Sequence, residues 1–295
     1  MCLQAQGVFQ GTTFVPQTSD VSILQNSLNK IEERNSRSDN QFSEAMIKYA
    51  ESMTRKEYPL ALAYIEECIR VNDYASSNGH KIADFHDLYA KKADVLKEQR
   101  KNAEAAELYI KAMQSCDDAS KCLGFAKEAN VLFPSESNMC YLAASYADAG
   151  YFNESLNLCN ELIEKTTNNS VKCYLYKIEA SIKVETMNLE DAIVIYDKII
   201  NLEPQNSENR DAYGWIMYKM GNYSKAIEAW DYILQNFSMD KYGKARYESN
   251  VWAAKFNIAR RDNNKTGMET AKKELRKLSS LVPDVNVFLE STKSK

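Results

Sequence analysis

CYLYKIEASIKVETMNLEDAIVIYDKIINLEPQN, residues 173–206, is followed directly by SENRDAYGWIMYKMGNYSKAIEAWDYILQNFSMD, residues 207–240. Each block has 34 residues and carries two stretches with apolar spacing of three and four, separated by a short turn. In the first block one helical pattern runs to Val184, and the second closes at Leu202-Glu203-Pro204. Overlaying the blocks sets Ala180 on Gly214, Ala192 on Ala226, Tyr196 on Trp230 and Ile199 on Ile233. Small residues recur where two helices must cross closely, and large ones recur where the next helix packs. A two-helix unit repeated at this period cannot bury its apolar face alone, so the blocks predict stacked helical hairpins.

Working outward, residues 41 to about 285 show the same helical periodicity almost throughout. Breaks are expected at Asn72–Lys81, Phe133–Ser137, Thr166–Ser170, Glu203–Ser207 and Pro283–Asp284. Residues 136–169 fit the repeat through Leu142, Ala143, Tyr146, Gly150 and Phe152, with Ser155 and Cys159 where Ala and an aromatic are expected. Residues 86–119 fit through Tyr89, Ala93, Ala105, Tyr109 and Ala112, with Arg100 and Asn102 at the turn. Residues 42–75 and 252–285 are more degenerate. Between Ser120 and Pro134 lies an additional helix that has no first-helix partner of its own.

These residues resemble the tetratricopeptide repeat family: Gly214, Gly221 with Tyr223, Ala226 and Trp230 in one repeat, and Ala180, Ala192, Tyr196 and Pro204 in the one before. The resemblance implies an all-α, right-handed helical-hairpin solenoid, a superhelix of about five to six repeats plus an extra helix. The expected organisation is a flexible N-terminal arm over residues 1–40, with a short helix around Val21–Glu33. The repeat array then covers 41–285, with 136–169, 173–206 and 207–240 as its best units, and 286–295 form a C-terminal tail. In this family first helices line a concave face that holds a peptide or partner helix. The resemblance places Tyr174, Lys177, Asp211, Trp215, Tyr218, Phe256 and Arg260 on that face, with Glu208 and Ser181 beside them. A family subgroup clamps a C-terminal carboxylate with Lys, Asn and Arg. Here those positions hold Ala90 and Asp94, Cys140 and Ala144, then Lys177 and Ser181, so a chaperone clamp is disfavoured.

Composition agrees with a helical array. The 295 residues include only 9 glycines and 5 prolines, fewer than the ~7% and ~5% of average usage, which argues against turn-rich sheet folds. Charged residues make up 26% and apolar ones 44%, as in a globular chain. The net charge of −4 is uneven, because residues 241–295 hold 13 basic and 6 acidic side chains. That end reads as a basic cap on the fold, and it leaves open self-association through the C-terminal end. The acidic remainder opposes nucleic-acid binding, which leaves an RNA-binding helical repeat as the weakest reading.

Of seven cysteines, Cys68, Cys140, Cys159 and Cys173 fall in apolar helical patterns and read as small hydrophobes in a reducing compartment. No apolar run is long enough for a membrane span. MCLQAQGVFQGTTFVPQTSD lacks the regions of a signal peptide, so a cytoplasmic location is expected. The alternative is an envelope-associated or lipid-anchored, periplasmic scaffold, with Cys2 as the start of a trimmed lipoprotein.

Motifs for catalysis are missing: no nucleophile elbow, P-loop, zincin or dinucleotide fingerprint occurs. The only histidines, His80 and His86, lie near Asp84 and Asp87, but they do not share a helix face and a closed zinc site needs four ligands. Cys116 and Cys122 have neither zinc nor redox spacing. Asn-x-Ser/Thr triplets begin at Asn153, Asn168, Asn222, Asn236 and Asn264 and arise readily in an Asn-rich chain. The expectation is a non-enzymatic scaffold or adaptor that takes no metal, cofactor or small-molecule substrate and binds a protein or peptide in its concave groove.

Overall fold

A computed structural model describes residues 7–10, 13–16 and 18–292, with side chains from Gln25 onward. Cys2, on which the lipid-anchor reading rests, lies outside the described residues. Contacts divide the chain into two units, Met1–Ser145 and Tyr146–Lys295.

The first unit opens on an antiparallel ribbon of β1 (Gly7–Gln10) and β2 (Thr13–Pro16), in which Val8 is level with Val15 and Phe9 with Phe14. The β-branched and aromatic runs GVFQ and TFVP favour strands locally. Then come α1 (Thr18–Thr54), α2 (Tyr58–Ser77), α3 (Phe85–Glu98), α4 (Asn102–Gln114) and α5 (Ala119–Leu132). Helix α1 therefore runs through most of the segment expected as an arm, and the short helix near Val21–Glu33 is its first part. Its polar middle hides it from periodicity. What fixes that stretch is distant in sequence: Arg34 donates to Asn78, and His80 Nε2 lies 2.8 Å from Asp39. Another departure is at Asn72, expected as a break but buried inside α2. Its side-chain amide donates to the Ala83 carbonyl at 3.1 Å and accepts from the Ala83 N–H at 2.9 Å, which fastens the loop before α3.

Helix α6 (Glu136–Asp148) leads into the second unit, which continues with α7 (Phe152–Lys165), α8 (Asn169–Glu185), α9 (Leu189–Leu202), α10 (Ser207–Lys219) and α11 (Tyr223–Asn236). It closes with α12 (Lys241–Arg261), α13 (Lys265–Leu278) and α14 (Asp284–Ser291). Successive helices from α7 to α14 each pack on the one before. The residues expected as a tail begin inside α14, whose Val285 and Leu289 are buried beside Leu275.

One turn geometry links the helices of each pair. Lys56, Arg100, Gly150, Met187, Gly221 and Asn263 all have positive φ, one in each of six helix-to-helix turns. After each, the next residue's N–H returns to a carbonyl six positions back in the inclusive count, as Asn222 N–H does to Met217 O and Asn188 N–H to Lys183 O. Helix α5 belongs to none of these pairs and packs on α4, which matches the expected additional helix. The last three second helices, α9, α11 and α13, start at side-chain caps: Asn188 accepts from the Asp191 N–H, Asn222 from Lys225 and Asn264 from Gly267. Three of the Asn-x-Ser/Thr triplets thus begin at caps, since Asn168 also caps α8.

The 34-residue overlay is visible in the cores. Ala180, Ala192, Ile199, Ala226, Trp230 and Ile233 are fully buried. Each large aliphatic among them contributes about 1.5–3 kcal/mol by leaving water. Cys68, Cys140, Cys159 and Cys173 are buried, as their apolar setting implied. Among the described residues, no helix is long and apolar enough to cross a membrane.

Candidate functional site

Within the second unit a groove of about 670 Å³ lies between the aromatic face of α10 and the C-terminal segment. Its floor is Trp230, wholly buried by the α10–α11 crossing. That crossing needs Gly214, because a Cβ there would come within 2.8 Å of the Trp230 ring nitrogen. The Trp230 Nε1–H donates to Asp211 at 2.9 Å, and Arg246 Nη2 donates to the other Asp211 oxygen at 2.6 Å. Asp211 is thus a buried brace that joins α10, α11 and α12. Burial pushes its carboxyl above the ordinary range, and the Trp230 hydrogen bond and the Arg246 charge oppose that rise.

Above this floor, Trp215 stands edge-on to Trp230 at 5.3 Å and to Tyr218 at 5.7 Å. Trp215 keeps 38% of its surface exposed. Tyr218 is half-buried, and its hydroxyl accepts from Asn257 Nδ2 at 2.6 Å. Burial raises its pKa first of all, and the Asn257 hydrogen bond and the Arg260 charge oppose that rise. From α12 come Tyr242, Arg246 and Asn250, and the opposite wall is Leu281–Val285 with Phe288. Asn250 is 8% exposed, and its amide nitrogen has no hydrogen-bond partner. A buried amide donor left unpaired costs about 1–3 kcal/mol, so an incoming acceptor at this wall would recover it.

The structure brings Trp215 and Tyr218 together on this groove and sets Asp211 directly beneath them. Phe256, expected on the face, is instead interior: it is 3% exposed and packs edge-on against Phe288 at 5.6 Å. The reason is register. The repeat was read from residue 252, but α12 begins at Lys241, so the α12 residues on the groove are Tyr242, Arg246 and Asn250. Arg260 is exposed at the far end of α12, and Glu208 is exposed in the first turn of α10. Tyr174 and Lys177 lie on α8, outside the groove, and Lys177 Nζ is 3.4 Å from Glu203. Ser181 donates to the Ile178 carbonyl, and Asp94 accepts from the Tyr109 hydroxyl, so these positions serve internal contacts. The degenerate repeat over 252–285 takes in Leu281 and Pro283 of this wall but stops short of Phe288, whose sequence signal is its apolar spacing with Val285 and Leu289.

The Asp84, His86 and Asp87 donor atoms do gather, all within 4.8 Å of one another, whereas His80 turns away to Asp39. Lys81 pairs with Asp84, and the Lys121 ammonium lies 3.4 Å from His86 Nε2. Asp84 thus already pairs with a protein cation, His86 is buried, and Asp87 lies against the His86 ring.

No family model and no curated protein matches the chain. Among solved structures, the chain is similar to MamA, residues 41 to the end, from Desulfovibrio magneticus RS-1: identity 14%, TM-score 0.47, covering 61% of this chain and 96% of that one. It is also similar to a pilF structure from Pseudomonas aeruginosa, at 12% identity and TM-score 0.43, covering 88% and 99%. A tetratricopeptide repeat protein from Parabacteroides merdae ATCC 43184 aligns at 12% identity and TM-score 0.40, over 85% and 98%. Likenesses of this size say nothing of activity or partner. The repeat architecture stands on the hairpins, turns and crossings of the chain itself.

Proposed function

We propose that this tetratricopeptide-like chain is a non-enzymatic interaction protein whose C-terminal unit holds a segment of another protein in the Trp215–Tyr218 groove. The observation that carries the reading is the pairing, on one groove, of an exposed tryptophan with a buried amide donor that lacks an acceptor. Trp, Tyr and Arg are the residues that most often anchor interfaces, and Trp215, Tyr242 and Arg246 line this groove. A peptide supplies what the groove lacks: a main-chain carbonyl for Asn250 Nδ2 and an apolar side chain to cover Trp215. The groove offers no general base poised over a nucleophile, and its one buried carboxylate is committed to Trp230 and Arg246.

The test is affinity capture from lysate with wild type and a Trp215→Ala/Tyr242→Ala variant side by side. Both side chains are well exposed, at 38% and 54%, so truncation spares the core. The reading expects a protein retained by wild type and weakened at least ~30-fold in the variant, as for a hot-spot loss of about 2 kcal/mol. Identical retention by both baits, with unchanged circular dichroism, removes the groove from the account.

A further inference from the structure

Four cysteines of the described residues, Cys68, Cys140, Cys159 and Cys173, are buried, whereas Cys116 and Cys122 are only partly covered. Burial pushes the thiols of Cys68, Cys140 and Cys173 up to about 11, which leaves almost no thiolate to react at neutral pH. The accessible sulfur chemistry of the first unit therefore falls to Cys116 and Cys122.

Their spacing in sequence is not that of a redox motif, in which one helical turn presents both sulfurs. Here the link between α4 and α5 brings them together instead. Cys116 comes just after Ser115, the C-cap of α4, and Cys122 lies near the start of α5. Asp118 fixes that start: its side chain accepts from the Lys121 N–H at 2.9 Å, and its carbonyl accepts from the Cys122 N–H at 2.9 Å. The Cys122 thiol is thereby aimed back at the end of α4. Its Sγ lies 3.4 Å from the Met113 carbonyl and 3.2 Å from the carbonyl of Cys116 itself. A carbonyl oxygen is about 2.4 Å from its own Cα, so Cys122 Sγ is within about 5.6 Å of the Cys116 Cα. Across a disulfide that separation is about 4 Å. The Cys116 side chain faces the Asp118 carbonyl at 3.7 Å, a weak contact in the exposed part of the turn. Rotation about its χ1 exchanges that contact for the Cys122 sulfur.

We propose that Cys116 and Cys122 are a redox pair that closes to a reversible disulfide across the α4–α5 turn, with glutathione disulfide as the oxidant. The Cys116 thiolate attacks one sulfur of glutathione disulfide; a protein–glutathione bond forms and one glutathione thiolate leaves. The Cys122 thiolate then attacks the Cys116 sulfur, which forms the intramolecular bond and expels the second glutathione thiolate. The two protein thiols give up two electrons, and their two protons end on two reduced glutathiones. The product ties the start of α5, which belongs to none of the helical pairs, covalently to the end of α4.

Peptide mapping of the full chain tests this. The protein is incubated in native buffer with glutathione disulfide, blocked with N-ethylmaleimide in denaturant, and digested with trypsin without reductant. Cleavage after Lys111, Lys121 and Lys127 parts the two cysteines into AMQSCDDASK and CLGFAK. These peptides should remain joined, at the sum of their masses less two hydrogens, and should separate on adding dithiothreitol. Cys68, Cys140, Cys159 and Cys173 should carry maleimide in the same sample. In Cys122→Ser the resolving sulfur is gone, so glutathione should stay on Cys116, with wild-type helix content by circular dichroism. Wild-type peptides recovered separately, as maleimide or glutathione adducts, overturn the proposal. So does linkage of either cysteine to the buried ones in equal amount. A Cys122→Ser chain without glutathione on Cys116 overturns the order of attack.

Discussion

Replacing Gly214 by alanine opposes two effects of known sign at one atom. An alanine in a helix interior is worth about 1 kcal/mol over glycine, and α10 is otherwise undisturbed by a methyl group. The new Cβ, however, falls 2.8 Å from Trp230 Nε1 and 3.0 Å from Cε2. Trp230 is fully buried and tied to Asp211, so it cannot swing aside without breaking that bond. Overpacking of this kind costs about 1–3 kcal/mol, and strain on the buried N–H adds about 1 kcal/mol. Taking about 2 for the clash and 1 for the strain, less 1 for propensity, Gly214→Ala should lose about 2 kcal/mol. The preceding repeat suggests the rescue, since it carries Ala180 and Tyr196 at the equivalent positions. Gly214→Ala/Trp230→Tyr should therefore be more stable than the two single losses sum to, with a coupling of at least about 1 kcal/mol. Urea unfolding followed by Trp215 and Trp252 fluorescence reads this in the C-terminal unit, which holds all 3 tryptophans. A Gly214→Ala variant as stable as wild type, or strictly additive losses, would refute the crossing argument.

The turns make an opposed pair of predictions. Met187 has φ of 59° with its side chain 77% exposed, so Met187→Gly should stabilise by about 0.5–1 kcal/mol. Gly221→Ala, at φ of 77° in open space, should cost about 1 kcal/mol, and equal signs in urea midpoints would contradict the shared turn. Asn222→Ala removes the α11 cap and should cost about 1 kcal/mol, read in the same unfolding assay. Burial pushes Tyr49 up to about 12, and burial with the Asp94 hydrogen bond raises Tyr109 further. In the unfolded chain a tyrosine releases its proton near ~10. The stabilisation from these phenols is therefore intact below pH ~10 and is lost as pH rises toward the folded values. Denaturation midpoints by far-UV circular dichroism should fall between pH ~9 and ~11 and fall less in Tyr109→Phe; an unchanged slope in that variant would count against the assignment.

Much of this was legible because repetition makes sequence and packing report the same thing. The Gly214–Trp230 exchange against Ala180–Tyr196 identified a crossing, and the structure shows a methyl-sized exclusion there. Ser120–Pro134 read as an unpaired helix, and α5 stands outside the shared turn pattern. Where reading failed, local pattern and deciding contact were far apart. Glu32 to Asn40 carry almost no apolar signal, yet that stretch is held through Arg34 to Asn78 and Asp39 to His80. Arg100 and Met187 adopt the backbone that glycine takes at 150 and 221, so residue type alone understated the number of equivalent turns. In the groove, Trp215 and Tyr218 could be named because the repeat fixed their register. Tyr242, Arg246 and Asn250 could not, because α12 starts well before the apparent repeat boundary.

Photo-crosslinking from the groove tests the functional claim most directly. A photoreactive phenylalanine analogue at position 242, in the full chain exposed to native lysate, should give a discrete protein adduct on irradiation. Adding Trp215→Ala should abolish the adduct, and the same analogue at position 174, outside the groove, should give none. Equal adducts from both positions, or an adduct indifferent to Trp215, would place the partner elsewhere on the molecule.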